Sequence, residues 1–233
     1  MTDVAVILWP GSNCERDCER AFGSLGAHVE IVWHERSELP DCDLVVLPGG
    51  FAHGDYLRTG AVARFSPVMG AVVAHARRGG LVLGICNGFQ ILCEAGLLPG
   101  ALRKNAGLKF LCKWAELRVE DAATPFTGGL EPGAVLRLPI NHFEGNWYCT
   151  PDELRRIEVD HRVVLRYVDN PNGALGDVAG IVNDERNVFG LMPHPERACE
   201  ALLGSTDGRA LLGAALANAG RGTPVSITGP PAD

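Results

Sequence analysis

The segment Leu81-Val-Leu-Gly84-Ile-Cys86-Asn-Gly88-Phe-Gln-Ile-Leu92 places one cysteine between two glycines where an apolar run gives way to a helical pattern. A nucleophile on a sharp strand-to-helix turn needs small neighbours two residues to either side, because a Cβ there would strike the facing backbone. A thiol at a helix N-terminus also lies where unpaired N–H groups and the helix dipole favour the thiolate. The N–H of Asn87 would then point to where the oxyanion of a tetrahedral intermediate forms. The competing explanation is a buried cysteine between packing glycines. The strand before Cys86 and both glycines weigh toward the catalytic one.

A thiolate needs a base, and Gly190-Leu-Met-Pro-His194-Pro-Glu196-Arg197 follows another apolar run. There His194 would exchange a proton with Cys86, and Glu196 would orient the imidazolium. A rival pair, His142 and Glu144, sits in Pro139-Ile-Asn-His-Phe-Glu-Gly145. The prolines flanking His194 favour the first pair, but periodicity alone leaves both open. A third segment, Val45-Val-Leu-Pro-Gly49-Gly50-Phe-Ala-His-Gly-Asp55-Tyr56, also ends a strand on glycines, so backbone N–H groups there can approach a ligand; a simple turn is the alternative. As metal ligands the histidines fit poorly, since neither H-E-x-x-H nor P-C-x-x-C occurs.

The elements that must carry these groups alternate. Short Val/Ile/Leu runs at 4–8, 28–33, 44–48 and 81–85 are separated by helix-length stretches at 13–25, 61–78 and 87–97, the pattern of a parallel sheet covered on both faces. From 108 to 148 the pattern becomes longer alternating runs, which predicts antiparallel strands inserted at an edge. Parallel strands are expected again at 163–168, 178–182 and 188–192, then a last helix at about 205–219. The expected organisation is therefore one domain over 1–219 with a Gly/Pro/Ser/Thr-rich tail at 220–233, disordered or docked on a partner.

With 233 residues and 46% hydrophobic composition, the chain can bury a single large core. A formal charge of -7 with no Lys/Arg cluster argues against nucleic acid, and no apolar run reaches the ~20 residues of a membrane span. Eight irregularly spaced cysteines without a C-x-x-C pair, and no leader-like N-terminus, point to a reduced, cytoplasmic protein.

These residues resemble the class I, triad-type glutamine amidotransferases, whose hallmark is a G-x-C-x-G elbow with a later H-x-E. The resemblance is closer to one family among them, the glutaminase subunits of the synthase that forms formylglycinamidine ribonucleotide in purine biosynthesis. It rests on Pro10-Gly-Ser-Asn-Cys14, Trp33-His-Glu35, Pro48-Gly-Gly-Phe51, Gly54-Asp-Tyr-Leu-Arg58, Cys86-Asn-Gly-Phe-Gln-Ile-Leu92, Asn170-Pro-Asn-Gly173 and Met192-Pro-His-Pro-Glu-Arg197. It spans nearly the whole chain apart from the tail.

The resemblance implies a three-layer α/β fold of flavodoxin type: a mostly parallel open sheet with helices on both faces and an antiparallel edge insertion. It implies catalytic Cys86, His194 and Glu196, oxyanion N–H groups from Gly50 and Asn87, and Gln90 helping to hold glutamine. It assigns His142 and Glu144 to a separate loop near the glutamine or the partner surface. Where relatives often have Ala-His-Gly-Glu-Gly, this chain has Asn141-His-Phe-Glu-Gly145. No cofactor is expected in the chain itself, because no lysine follows a glycine and no phosphate-binding G-x-x-x-x-G-K loop exists. ATP with Mg would be used by a large synthetase subunit, joined by a small accessory subunit. Two alternatives remain at this level: a stand-alone cysteine hydrolase of the same fold, and a non-catalytic amidotransferase-like binding module.

Overall fold

The computed structural model describes residues 1–219, and the expected tail at 220–233 lies outside the described residues. Eleven strands are described: β1 (Asp3–Leu8), β2 (His28–Trp33), β3 (Leu44–Leu47), β4 (Leu81–Ile85), β5 (Ala101–Arg103), β6 (Leu111–Val119), β7 (Val135–His142), β8 (Asn146–Tyr148), β9 (Val163–Tyr167), β10 (Val178–Val182) and β11 (Val188–Leu191). Five α-helices accompany them: α1 (Glu15–Ser24), α2 (Val68–Arg77), α3 (Asn87–Glu94), α4 (Pro151–Val159) and α5 (Gly208–Asn218).

Nine strands form one sheet in the order β2-β1-β3-β4-β11-β10-β9-β6-β7, and β5 pairs with β8 in a separate ribbon. Every residue of β3 and β4 is buried, as strands apolar on both faces require at a sheet centre. The three-layer α/β class expected from the alternation is the one observed.

The sheet is more mixed than the sequence suggests. β2, β1, β3, β4 and β11 run parallel, whereas β10 pairs antiparallel with both β11 and β9, and β9 antiparallel with β6. Parallel character therefore returns only at β11. The physical reason is connection length: residues 183–187 and 168–177 are too short for the crossover a parallel pair needs. The antiparallel segment continues the main sheet at its β7 edge.

The helix expected over 61–78 is broken at Pro67. Ser66 adopts extended backbone (φ -60, ψ 141), as a residue before proline prefers, and only Val68–Arg77 is α-helical. Unanticipated α4 has a plain local cause in Thr150-Pro-Asp-Glu153: the Thr150 hydroxyl accepts from the Glu153 N–H at 3.3 Å and Pro151 opens the first turn.

What positions the elbow is the close approach of α3 to β3. Register pairs Leu47 with Gly84 on one side of β4 and Gly190 with Gly84 on the other. A Cβ on Gly88 would lie 1.9 Å from the Leu47 carbonyl oxygen, and one on Gly84 would lie 2.8 Å from the Gly88 backbone. Neither neighbour is a side-chain tip that can swing away. Gly88→Ala is expected to destabilise the fold by about 3 kcal/mol, the upper end of overpacking costs, read as a lowered urea midpoint with an unchanged slope.

Candidate active site

Cys86 occupies the turn between β4 and α3 with φ 51 and ψ -103, a left-handed-side conformation that L-residues rarely adopt. Its N–H is tied to the Leu191 carbonyl at 2.8 Å, and its thiol lies 3.8 Å from the Asn141 carbonyl. The elbow is thus clamped between β11 and the end of β7.

His194 and Glu196 follow β11, and the His194 N–H donates to the Pro139 carbonyl at 2.8 Å. The imidazole Nδ1 is 2.6 Å from Glu196 Oε1, with both side chains almost wholly buried, while His194 Nε2 has no partner in the protein. Burial alone would push His194 down. The Glu196 carboxylate, reinforced by Cys86 and Cys14, outweighs that effect and holds the imidazole well above its ordinary value. A carboxylate on Nδ1 directs Nε2 outward for proton exchange, as in the triads of acyl-transfer enzymes.

The rival histidine is placed differently. The Asn105 amide donates to the carbonyls of Lys109 (2.8 Å) and His142 (3.0 Å), and its oxygen accepts from the Gly145 N–H at 3.0 Å. Its oxygen must therefore face His142 Nδ1 at 3.1 Å, so Nδ1 carries the proton and Nε2 is a bare lone pair. Burial, with His194 nearby, pushes His142 down to about 3. Such a group is too weak a base to carry protons near neutral pH. Instead, the loop it begins is pinned over the elbow: Gln90 Nε2 donates to the Glu144 carbonyl at 2.6 Å, and Asn172 Nδ2 to the Gly145 carbonyl at 2.8 Å.

Gly50 lies in the loop after β3 with φ 149, bridged to Ser12. Asn87 ties this loop to the elbow helix: its oxygen accepts from the Ala52 N–H at 3.0 Å and its nitrogen donates to Gln90 Oε1 at 2.9 Å. The same nitrogen reaches Asp55 at 3.3 Å. Gln90 is thus fully engaged with Asn87 and the Glu144 loop.

Burial, then the Glu144 charge, raises Asp55 to about 6 against an ordinary 3.8. Between those values the unfolded chain ionises first, so this group lowers stability as pH rises, with the full deficit present above about 6. Asp55→Asn is expected to raise Tm at pH 7 and to converge on the parent below pH 3.8 in thermal melts across pH.

Residues that sequence reasoning did not assign also gather here. Cys14 Sγ lies 4.0 Å from His194 Nδ1 and 3.1 Å from Arg197 Nη2, and Arg197 Nε donates to Asp17 at 3.0 Å. Cys14, His194 and Glu196 bring ligand-type atoms within 4.8 Å of one another. A cation there would have to break the His194–Glu196 bond and face the Arg197 guanidinium, so the donor set suits a metal poorly. Topology, rather than periodicity, was the available signal: loops after β1 and β3 flank the switch point of the parallel sheet, where open α/β proteins collect their sites.

A cavity of about 530 Å3 borders the dyad, with Trp114, Pro139 and Asn141 among its walls. A larger open depression of about 1690 Å3 lies near the amino ends of β4 and β11 and contains none of the candidate catalytic residues.

Fold and elbow together define a glutamine amidotransferase, and the family model for the CobB/CobQ-like glutamine amidotransferase domain matches residues 1–209. Phosphoribosylformylglycinamidine synthase subunit PurQ of Rubrobacter xylanophilus is 54% identical over 216 residues, 93% of this chain and 98% of the relative. A chain in the structure of PurLQS from Thermotoga maritima superposes with TM-score 0.87 at 45% identity, over 93% of this chain and 99% of that one. A more distant glutamine amidotransferase of Thermotoga maritima, at 17% identity and TM-score 0.57 over 85% of this chain and 77% of that one, shares the fold. The chain belongs to the PurQ family of phosphoribosylformylglycinamidine synthase subunits, and as such is a glutaminase.

Proposed function

We propose that this chain hydrolyses glutamine through Cys86, His194 and Glu196 and delivers the ammonia to a synthetase subunit that converts formylglycinamide ribonucleotide to formylglycinamidine ribonucleotide. The observation that carries the reading is the elbow itself: a cysteine in a strained strand-to-helix turn, at the sheet edge that also holds a buried histidine–carboxylate pair.

His194 takes the Cys86 proton, and the thiolate attacks the carboxamide carbon of glutamine. The resulting oxyanion is met by the N–H groups of Gly50 and Asn87. Collapse breaks the C–N bond as His194 returns its proton to the departing ammonia, leaving a γ-glutamyl thioester. Water, deprotonated by His194, releases glutamate and restores the thiol. Gln90 helps to hold glutamine indirectly, through the loop it fastens at Glu144.

ATP and Mg belong, in this reading, to the large synthetase subunit, and a small accessory subunit completes the assembly. That the similar chain of Thermotoga maritima belongs to a PurLQS structure supports an assembly with partner subunits. Among the described residues no helix is long and apolar enough to cross a membrane. We place the chain in the cytoplasm, with residues 1–219 as one catalytic domain.

Reconstitution with the two partner subunits tests the proposal. The complex should amidate formylglycinamide ribonucleotide with either glutamine or free ammonia, and omission of this chain should abolish only the glutamine-dependent rate. Glutamine use without this chain would overturn it.

A further inference from the structure

The loop after β1 carries Pro10-Gly-Ser-Asn-Cys14, a motif the mechanism above leaves without a task. Three parts of the site meet at its last residue. The N–H groups of Asn13 (3.4 Å) and Cys14 (3.2 Å) both donate to the Gly49 carbonyl. In a planar trans peptide C=O and N–H point in opposite directions, so a Gly49 carbonyl held toward the β1 loop turns the Gly50 N–H the other way. Since β3 lies between β1 and β4, that way is toward the elbow.

The side chain supplies the second and third links. Cys14 is buried, and a Cβ on Gly49 would lie 3.0 Å from its Sγ and 2.7 Å from His194 Cε1, so thiol, glycine and imidazole are in mutual contact. Burial pushes the thiol up, leaving it as S–H at neutral pH. It donates to Asn13 Oδ1 at 3.1 Å and accepts from Arg197 Nη2 at 3.1 Å. Arg197, also fastened to Asp17, directly follows Glu196, whose Oε2 is buried without a partner. Its guanidinium is a fixed positive charge beside the dyad.

We propose that Cys14 is a positioning residue that locks the oxyanion strand to the catalytic base: its backbone aims the Gly50 N–H, and its thiol, seated by Arg197, braces the Nδ1 side of His194. This rests on the assignment of Cys86 and His194 above. Cys14 is not a second nucleophile, because it meets the nitrogen already engaged by Glu196 and remains protonated.

The experiment measures steady-state glutamate release by the full-length chain, with partner subunits present, for Cys14→Ala, Cys14→Ser, Arg197→Gln and the Cys14→Ala/Arg197→Gln pair, each with its Tm. Cys14→Ala should lower kcat about tenfold while KM stays within about twofold. Cys14→Ser, which can both accept from Arg197 and donate to Asn13, should recover to within about threefold of the parent. The double variant should be no slower than the worse single one, as members of one unit behave. An unchanged kcat in Cys14→Ala, a loss confined to KM, or a serine variant no better than alanine at equal Tm would each overturn the proposal. Loss of all glutamate release in Cys14→Ser with activity intact in Cys86→Ser would instead overturn the Cys86 assignment, so the two failures are distinguishable.

Discussion

Cys86→Ser is expected to lose glutaminase activity by about 10^4-fold or more while keeping the fold. The serine hydroxyl fits the same turn, and the Cys86 N–H bond to Leu191 involves no side-chain atom. What disappears is the sulfur nucleophile of the proposed mechanism, since a serine hydroxyl is a far weaker acid than a thiol and gives up its proton less readily to the same base. Ammonia-dependent amidation by the reconstituted synthase should be untouched. A glutamate assay and an ammonia-driven assay on one preparation separate the two.

The second large effect is expected at Gly50. Its φ of 149 and the backbone around it leave no room for a methyl: a Cβ would lie 2.7 Å from Ser12 Cα and 2.9 Å from both the Asn13 nitrogen and the Gly11 oxygen. None of these is a flexible side-chain tip, so Gly50→Ala must push the loop after β3 away from the β1 loop and turn its N–H off the position proposed for the oxyanion. Loss of one such donor costs on the order of 3 kcal/mol, about 10^2- to 10^3-fold. Because the donor acts on charge that develops only in the transition state, the loss should fall on kcat and leave KM nearly unchanged. Steady-state kinetics at saturating and limiting glutamine would show the division.

The elbow is legible in the sequence because everything that defines it is local: an apolar strand, glycines at 84 and 88, and the helix after Cys86. His194 and Glu196 are legible for the same reason, being two residues apart behind a strand. Preferring them to His142 and Glu144 needed either the family resemblance or the fold. In the fold, Asn105 fixes the His142 tautomer and burial makes that histidine a poor base. Residues 105 and 142 meet only through tertiary structure, and no pattern in either segment announces it.

Cys14 is the clearest case of a residue recognised in a motif yet silent about its role. Its neighbours, Gly49 and His194, arrive from two other loops, and only the β1-β3-β4-β11 strand order brings the three together. By contrast, the antiparallel β9-β10-β11 segment was legible in principle, since connections of five and ten residues cannot carry a crossover helix. Apolar runs alone conceal direction, because strands buried on both faces look alike in parallel and antiparallel pairs.

The most direct measurement of the central claim is mass spectrometry of the chain quenched with acid during turnover of glutamine, followed by peptide mapping. A γ-glutamyl adduct on the peptide carrying Cys86, absent from Cys86→Ser and still present in Cys14→Ser, is the expected result. An adduct on Cys14, or glutamine turnover by Cys86→Ser at an undiminished rate, would contradict it.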